Sequence, residues 1–237
     1  MTLQYLKVLI TGGTSGLGLE LVREFLKAGS QVFITGLDQK MVDNTLASFG
    51  DHPNLQGFVT NINDLQALSE LKNNVGDLDI LINNAGVYTV GLLENTNPLD
   101  VQKVIQTNLI GTIFVTQTFL PDLKAKNNGI IANILSIRSS EPAAESSIYV
   151  ASKFGLRGFF ESIKLELAKT AVKIINFYPS GIKTNLFQNA GVVDKDMANL
   201  MEASDVAQVV IDTIQKSDKT LIDHIVIQKP KKVMNSP

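Results

Sequence analysis

A tyrosine and a lysine four residues apart, Tyr149 and Lys153, are the pair of side chains in this sequence best suited to move a proton together. On a helix, this spacing puts both side chains on one face, one turn apart. A positioned phenol can act as a general acid or base. Because a pair with this spacing also arises by chance, its assignment depends on what else in the sequence points to the same place.

Polar residues that could join this pair occur where predicted strands end. An Asn-Asn-Ala-Gly segment at 83–86 ends the fourth predicted strand, Ser136 ends the fifth, and Asn108 lies in the long predicted helix between them. In an open parallel sheet, ligands bind in the crevice at the carboxyl ends of the strands. We therefore expect these segments to line one site with Tyr149 and Lys153.

A glycine-rich turn, TGGTSGLG at 11–18, joins the first predicted strand to the first predicted helix. Gly12 permits a tight turn, Gly16 lets the backbone approach a pyrophosphate, and Gly18 lets helix and strand pack closely. The unpaired N–H groups at the start of the helix add a positive dipole. This context predicts a dinucleotide site, and the alternative interpretation is an ordinary glycine-rich turn.

The end of the second predicted strand bears on which nicotinamide cofactor binds. Asp38 follows Gly18 by twenty residues, a suitable distance for a carboxylate that binds a ribose 2′-hydroxyl and repels a 2′-phosphate. Ser15 and Leu37 nearby are uncharged, so a 2′-phosphate would find only Lys40 as a neighbouring cation. The sequence therefore favours NAD(H) without excluding NADP(H). An equally good interpretation is that Asp38 caps the helix that follows.

Strands and helices alternate along the chain, as in an α/β fold. Short apolar runs predict seven strands, at 5–10, 31–35, 56–60, 79–83, 130–135, 172–178 and 224–228. Amphipathic stretches predict helices at 16–28, 64–74, 98–126, 147–170 and 204–216. Because most of the strands are apolar throughout, we expect a doubly wound, Rossmann-like parallel β-sheet with helices on both faces. One domain spanning 1–237 is predicted, with 184–202 as a possible substrate lid.

The order of the motifs TGxxxGxG, NNAG, Asn, Ser and YxxxK resembles the short-chain dehydrogenase/reductase family. The chain length resembles that of the family's shorter, single-domain members. The resemblance implies an NAD(P)-dependent oxidoreductase that interconverts a small carbonyl compound and an alcohol. It also implies that Tyr149 exchanges a proton with the substrate oxygen while a hydride passes to or from nicotinamide C4. Ser136 would hold that same oxygen.

The resemblance gives Lys153 and Asn108 supporting roles. Lys153 would bind the nicotinamide ribose, and its ammonium should lower the pKa of the Tyr149 phenol from its usual value of about 10. Asn108 would hold a water that links this lysine to solvent. The residues assigned to cofactor binding are Gly12, Thr14, Ser15, Gly16, Leu17, Gly18, Asp38, Asn61, Ile62, Asn84, Ala85, Gly86, Tyr149, Lys153, Pro179 and Thr184.

The sequence departs from the family pattern at three places. Asn61 and Ile62 stand where the family often has Asp-Val, whose acid meets the adenine amino group. A serine separates proline from glycine at 179–181, where the family usually has Pro-Gly near the nicotinamide. Gly36 and Leu37 match neither the usual acid of NAD users nor the usual arginine of NADP users. The amide oxygen of Asn61 can still accept a hydrogen bond.

Two features bear on the substrate. Arg138 lies two residues beyond Ser136 and could bind a substrate carboxylate with two hydrogen bonds, or it could simply face solvent. Six further residues could line a largely apolar substrate pocket or could equally pack in the core or the lid: Val87, Tyr88, Ile137, Phe187, Met197 and Met201.

Composition excludes several classes of partner. The net charge of -2 is evenly spread, with no basic stripe for nucleic acid. The absence of cysteine removes disulfides, cysteine-ligated zinc and thiol nucleophiles, and no metal site is predicted. No apolar run reaches about eighteen residues, so no membrane-spanning helix is predicted. With no signal-like leader at the N-terminus, a cytoplasmic location is expected.

The predicted helix at 147–170 carries more apolar residues than one buried stripe needs: Leu156, Phe159, Phe160, Ile163, Leu165 and Leu167. A homodimer or homotetramer interface is therefore expected on this helix. Two other functions stay open at this stage. The chain could be a non-catalytic NAD(P)-binding redox sensor, or a structural or interaction module, because a fold alone does not demonstrate turnover.

Overall fold

Seven parallel strands form the centre of the computed structural model, which describes residues 1–192, 199–216 and 220–230. Their order across the sheet is β3-β2-β1-β4-β5-β6-β7, and every neighbouring pair is parallel. The order reverses between β1 and β4, which makes this crevice the expected ligand site of a doubly wound sheet. All seven predicted strands are confirmed: β1 (Lys7–Ile10), β2 (Gln31–Gly36), β3 (Leu55–Val59), β4 (Ile80–Asn83), β5 (Ile130–Ile134), β6 (Lys173–Pro179) and β7 (His224–Ile227).

In the described ranges, eight α-helices connect and cover the strands: α1 (Gly16–Lys27), α2 (Gln39–Ser48), α3 (Leu65–Val75), α4 (Pro98–Val104), α5 (Thr112–Lys126), α6 (Ser147–Glu166), α7 (Asn185–Gln188) and α8 (Ala203–Lys216). A π-helical turn (Ile105–Gly111) joins α4 to α5. Two 3-10 turns, Leu93–Asn95 and Ile137–Ser139, follow β4 and β5. Within these described residues, none of the helices is both long and apolar enough to cross a membrane.

Both faces of the five inner strands are buried, as their apolar sequences predict, whereas the edge strands β3 and β7 are partly exposed. Side chains alternate along β1, so that Val8 and Ile10 enter one core cluster and Leu9 enters the other. The first cluster packs under α1 and α8, and the second packs under α3, α5 and α6. Helices on both faces explain why these strands lack the apolar–polar alternation of a half-exposed sheet.

Some helix predictions are wrong in detail. The helix predicted at 98–126 is interrupted by the π-helical turn, and α6 ends at Glu166 rather than at residue 170. Helix α2 is absent from the predicted helices because only Val42 and Thr45 of its residues are buried, which leaves a weak amphipathic pattern. Helix α7 is too short to produce a periodic pattern at all.

A row of buried asparagines crosses the sheet close to the carboxyl ends of its strands. Asn83, Asn133 and Asn176 are paired in register on β4, β5 and β6. Asn83 Nδ2 donates to Asn133 Oδ1 at 2.8 Å, and Asn133 Nδ2 donates to Asn176 Oδ1 at 2.8 Å. Asn176 Nδ2 then donates to Glu161 Oε1 on α6 at 3.1 Å. These amides fix the strand ends relative to one another, because an unpaired buried amide would cost free energy.

The apolar residues of α6 serve mainly the core of the chain itself. Leu156, Phe160 and Ile163 are buried in the second cluster, together with Leu167 just beyond the helix, and Phe159 packs against that cluster. Of the six residues that suggested an interface, only Leu165 is fully exposed. The excess of apolar residues therefore does not require a partner subunit. A homo-oligomer stays a prediction, to be checked by sedimentation.

Candidate active site

Ser136, Tyr149 and Lys153 come together at the carboxyl end of β5. Tyr149 and Lys153 lie in the first two turns of α6, while Ser136 lies two residues beyond the end of β5 and caps the 3-10 turn Ile137–Ser139. A side-chain hydrogen bond joins Ser136 to Tyr149. The Lys153 ammonium lies 5.7 Å from the centre of the Tyr149 ring. All three side chains are less than a tenth exposed.

Burial governs the titration of this pair. It raises the pKa of Tyr149 to about 12, while the Ser136 hydrogen bond and the positive charge of Arg138 act in the opposite direction. Burial lowers the pKa of Lys153 to about 8. The expectation that the lysine lowers the pKa of the tyrosine is therefore wrong for this structure. The cost of removing the phenolate from water outweighs the other influences on the phenol.

The backbone of β5 fixes the position of the lysine. Lys153 Nζ donates a hydrogen bond to the carbonyl oxygen of Ile134 at 3.1 Å. An ammonium has three donors, so this contact leaves two N–H groups for other acceptors. The ammonium is thereby held between the strand end and the Tyr149 ring.

Asn108 lies in the π-helical turn and is completely buried. Its Oδ1 accepts from Val87 N at 2.8 Å, and its Nδ2 donates to Val87 O at 2.9 Å and to Ser152 Oγ at 3.1 Å. Ser152 Oγ in turn donates to the carbonyl oxygen of Tyr149 at 2.7 Å. Both amide hydrogens of Asn108 are used, so its side chain ties the segment after β4 to the start of α6.

The glycine turn between β1 and α1 has the geometry of a phosphate cradle. A Cβ atom on Gly18 would overlap Gly12 O and lie 2.6 Å from Asn84 Nδ2, so the close approach requires glycine. Gly16 has a φ of +53°, in the left-handed region that glycine adopts at little cost. The Ser15 side chain makes no capping hydrogen bond, so it satisfies none of the N–H groups of the first turn of α1. Such a helix start fits a pyrophosphate.

The segment after β4 is bound to this glycine turn. Asn84 Nδ2 donates to Thr11 O at 3.0 Å and to Gly12 O at 3.1 Å. Thr11 Oγ1 accepts from the backbone N–H groups of Asn84 and Ala85. The chain continues through Gly86 to Val87, whose N–H donates to Asn108 Oδ1 at 2.8 Å. A continuous set of contacts thus runs from the glycine turn to Asn108 and on to Tyr149.

The segment after β6 also reaches the glycine turn. Pro179 ends β6, and the residues up to Thr184 lead from the sheet to α7. A Cβ atom on Gly16 would lie 3.0 Å from Thr184 Cγ2. Thr184 caps α7, with Oγ1 accepting from Leu186 N at 3.3 Å. This position agrees with the expectation that the segment borders a dinucleotide.

Several residues assigned to the cofactor also serve the fold. Asp38 accepts a hydrogen bond from Met41 N at 3.0 Å, which confirms that it caps α2. Asn61 Oδ1 accepts from the backbone N–H two residues further on, at 3.0 Å. Leu17 and Ile62 belong to the two core clusters, and their side chains are buried there. Only the backbones of these two residues are therefore free to face a ligand.

The structure explains why β2 ends in glycine instead of an acid or an arginine. A Cβ atom on Gly36 would lie 2.8 Å from Thr14 Cγ2, so the methyl group of Thr14 occupies the space that a side chain would need. Leu37 and Asp38 beyond it are both exposed. The first charged residue after β2 is therefore Asp38, two residues beyond the end of the strand.

Aromatic side chains cover the Tyr149 phenol. The Tyr88 ring meets the Tyr149 ring edge-on with centres 4.8 Å apart, and the Phe187 ring packs edge-on against Tyr88 at 5.4 Å. The Tyr88 hydroxyl shares a 2.8 Å hydrogen bond with Ser146 Oγ. The wall beside Tyr149 is therefore apolar, with its one polar tip already hydrogen-bonded.

The other residues expected to line the pocket divide between site and core. Val87 is bound by Asn108, and Ile137 lies in the 3-10 turn beside Ser136. Met201 instead belongs to the first core cluster and pairs with Ile182 in an isolated bridge. Met197, with part of the predicted lid, lies outside the described residues.

Sequence reasoning missed two residues that organise the site, Thr11 and Ser152. A polar residue at the end of a buried strand, such as Thr11, has to find hydrogen-bond partners, and this requirement was a usable signal. Ser152 directly precedes Lys153 and lies on the buried face of α6, where a hydroxyl also needs partners.

A family model described as short chain dehydrogenase matches residues 6–195. The chain belongs to the short-chain dehydrogenase family. This short-chain dehydrogenase is 31% identical to dehydrogenase/reductase SDR family member 7B of Rattus norvegicus, over 91% of this chain and 72% of that protein. It is also 31% identical to 3-oxoacyl-[acyl-carrier-protein] reductase FabG of Haemophilus influenzae, over 85% of this chain and 87% of that protein.

Solved structures agree with this assignment. The structure of ElxO with NADP bound has a TM-score of 0.85 and 28% identity, covering 95% of this chain and 97% of that chain. A serine dehydrogenase complexed with NADP⁺ has a TM-score of 0.88 and covers 98% of this chain and 99% of that chain. Its 24% identity supports the fold alone. The short-chain dehydrogenase described here is therefore an oxidoreductase with a Rossmann-like fold.

A substitution in the glycine turn tests whether the cradle is built as described. Gly18→Ala forces a methyl group against Gly12 O and Asn84 Nδ2. Overpacking of this kind costs about 1–3 kcal/mol, which corresponds to a fall in Tm of roughly 2–12 °C for a chain of this size. Because the turn must shift, the affinity for NADH should fall about ten-fold or more, which corresponds to a loss of about 1.4 kcal/mol of binding free energy.

Gly158→Ala provides the matched control for the Gly18 variant. Gly158 lies on α6, and a Cβ atom there would meet nothing within 4 Å. Alanine is favoured over glycine in a helix, so this variant should keep or raise Tm and leave NADH affinity unchanged. Equal NADH affinity in the Gly18 variant and the wild type would show that the turn does not hold the dinucleotide.

Proposed function

We propose that this short-chain dehydrogenase transfers a hydride between nicotinamide C4 of NAD(P)(H) and the carbon of a carbonyl or alcohol, with Tyr149 as the general acid/base. A bound nicotinamide ring supplies the hydride in reduction and accepts it in oxidation. The observation that carries the proposal is the meeting of Ser136, Tyr149 and Lys153 in a site connected by hydrogen bonds to the glycine turn. The elements that carry these residues belong to one sheet and its helices, so we propose a single catalytic domain.

Tyr149 holds the proton that this reaction needs. With a pKa of about 12, the phenol is protonated at neutral pH and can donate to the substrate oxygen as the carbonyl carbon receives the hydride. In the opposite direction the tyrosine must accept a proton from the alcohol. Ser136 already hydrogen-bonds to Tyr149, so its hydroxyl is within reach of the same substrate oxygen. The site as built thus favours carbonyl reduction at neutral pH.

Lys153 and Asn108 position the reacting groups in this proposal. The two ammonium donors of Lys153 that Ile134 leaves free would bind ribose hydroxyls, and its charge lies beside the ring of Tyr149. Asn108 fixes Val87 and, through Ser152, the backbone of α6 at Tyr149. Both amide hydrogens of Asn108 are already donated to Val87 O and Ser152 Oγ. A water bound to Asn108 would therefore have to donate a hydrogen bond to an oxygen of this residue.

We propose that NAD(H) is the preferred cofactor, with NADP(H) as its competitor. The exposed carboxylate of Asp38 uses Oδ1 to cap α2, which leaves Oδ2 for a ribose 2′-hydroxyl. NADP(H) is supported by the relative ElxO, which was solved with NADP bound. At this end of the site a 2′-phosphate would meet Asp38 before the exposed Lys40.

Asp38→Asn separates the charge of this residue from its structural role. Asparagine also caps helices well, so α2 should remain intact while the negative charge is lost. The preference for NADH over NADPH is measured as the ratio of the two dissociation constants. It should fall about ten-fold, which corresponds to the loss of about 1.4 kcal/mol of repulsion between the carboxylate and the 2′-phosphate. An unchanged ratio with unchanged Tm would mean that Asp38 acts only as a cap.

Cofactor binding and turnover can be tested in sequence. Thermal-shift titrations with NADH and NADPH should raise Tm, and a panel of aldehydes and ketones should then oxidise the bound cofactor. Cofactor binding without turnover across the panel would favour a redox sensor. A Tm unmoved by either cofactor would favour a structural or interaction module.

A further inference from the structure

Arg138 is a cation beside the reactive hydroxyls with no acid to neutralise it. Its Nη1 donates to the backbone carbonyls of Pro142 at 3.3 Å and Glu141 at 3.5 Å. Within the described part of the chain, no carboxylate lies at ion-pair distance from it. Glu141 and Glu145 in the same loop are both exposed and do not pair with it. The guanidinium keeps donors free for an outside ligand.

The position of Arg138 is coupled to the site. Its backbone N–H donates to Ser136 Oγ at 3.1 Å, so the backbone of Arg138 is fixed beside the hydroxyl that would hold the substrate oxygen. The charge of Arg138 also acts on the Tyr149 phenol, since it opposes the rise in pKa that burial causes. The guanidinium therefore lies within electrostatic reach of the oxygen where the reaction takes place.

The surroundings of this cation suggest what kind of ligand it would bind. Tyr88 and Phe187 form an apolar wall over Tyr149, and the positive charge of Arg138 acts on the same phenol. Ligand sites with apolar walls and a single polar anchor orient organic molecules through that anchor. For an arginine, the best-matched anchor on a ligand is a carboxylate, which its planar fork can bind with two hydrogen bonds.

We propose that Arg138 binds a carboxylate of the substrate, so that the substrate is an oxo acid in reduction and a hydroxy acid in oxidation. This inference rests on the proposed hydride transfer at Tyr149. The carboxylate would take no part in the chemistry. It would hold the substrate so that its carbonyl oxygen meets Ser136 and Tyr149.

A paired substrate series tests the inference. Omega-oxo carboxylates of increasing chain length and their methyl esters present the same aldehyde with and without a charge. The wild type should favour the best acid over its ester by about ten-fold to a hundred-fold in kcat/KM, the range of a hydrogen bond to a charged group. Arg138→Gln should remove this preference, mainly through the KM of the acids, so that kcat/KM falls at least about ten-fold further for the acids than for their esters.

Two further variants identify the cation responsible. Lys103 lies beside a cavity of about 120 Å³ that Tyr88 and Asp100 also line, so Lys103→Gln tests a second candidate cation for the carboxylate. Arg23→Gln removes an arginine that pairs with Glu20 on α1 and serves as the charge-matched control. Loss of the acid preference in the Lys103 variant and not in the Arg138 variant would overturn the assignment. An equal loss for acids and esters in the Arg138 variant would also overturn it.

Binding distinguishes failure of this inference from failure of the proposed function. Unreactive dicarboxylates of matching length should raise the Tm of the NADH-loaded wild type and should leave that of the Arg138→Gln variant unmoved. Such binding without any turnover would support the anion site and refute the hydride transfer. Turnover without an acid preference and without dicarboxylate binding would refute the anion site and leave the hydride transfer standing.

Discussion

Replacing Tyr149 with phenylalanine is expected to lower kcat for carbonyl reduction by about a thousand-fold, within the range for loss of a general acid. The variant loses the transferable proton and the partner of Ser136, but it keeps the ring that packs against Tyr88. The dissociation constant for NADH should therefore change less than about two-fold. Steady-state kinetics on the best aldehyde and fluorescence titration with NADH measure the two effects separately.

Tyr178→Phe is the matched control for this prediction. Tyr178 is also a buried tyrosine, but it lies in β6 and stacks on His224 instead of meeting Ser136 and Lys153. Its variant should keep kcat within about two-fold, since no transferable proton is lost. If Tyr149→Phe retained a kcat near that of the wild type, Tyr149 would not be the proton donor.

Replacing Lys153 with methionine is expected to abolish most of the activity and to make the cofactor-free protein more stable. Loss of a buried charge beside the reacting group lowers kcat by about a hundred-fold or more. Burial lowers the pKa of Lys153 from 10.5 to about 8, a shift that corresponds to a cost of about 3 kcal/mol at neutral pH. Methionine removes this cost. It also leaves the carbonyl oxygen of Ile134 without a donor, which destabilises the folded protein by about 1–3 kcal/mol. The difference between these two effects should raise Tm by a few degrees.

The pH dependence of stability gives this prediction a second test. Between pH 8 and 10.5 the unfolded chain holds a proton on Lys153 that the folded chain has released. In the wild type, the contribution of this lysine to the free energy of unfolding should therefore increase as the pH rises through that interval, because the unfolded state binds more protons. The methionine variant should lose this contribution. Urea unfolding at a series of pH values measures the difference.

Lys164→Met is the control for the Lys153 variant, because Lys164 is also on α6 but pairs with Glu161 and Asp223 near the surface. It should leave kcat unchanged, and Tm should stay the same or fall as the ion pairs are lost. A Lys153→Met protein that was less stable than the wild type at pH 7 would show that the lysine is not an uncompensated buried charge.

The sheet could be predicted because its signal is local. Each inner strand is a short apolar run, and burial on both faces removes the alternation that would otherwise mark an exposed side. The same holds for the glycine turn, where Gly16 and Gly18 are required by backbone geometry and close approach. The convergence of Ser136, Tyr149 and Lys153 followed from one topological rule, that strand ends of a parallel sheet share one edge.

Other features depend on neighbours that are distant in sequence. The π-helical turn gives no periodic pattern of its own, and the contacts of Asn108 with Val87 and Ser152 exist only once three segments have met. The pKa of Tyr149 was expected to fall because the sequence shows a lysine four residues away. It rises because the sequence does not show how completely the phenol is buried.

The central claim is that a dinucleotide laid over the glycine turn places its nicotinamide ring against Tyr149. A crystal structure of the protein with NAD⁺ measures this directly. The pyrophosphate should lie on the backbone N–H groups at Gly16 to Gly18, and nicotinamide C4 should leave room for a substrate carbon at about 3–3.5 Å, with that carbon's oxygen reaching Tyr149 and Ser136. A dinucleotide bound elsewhere, or a nicotinamide ring turned away from Tyr149, would contradict the claim.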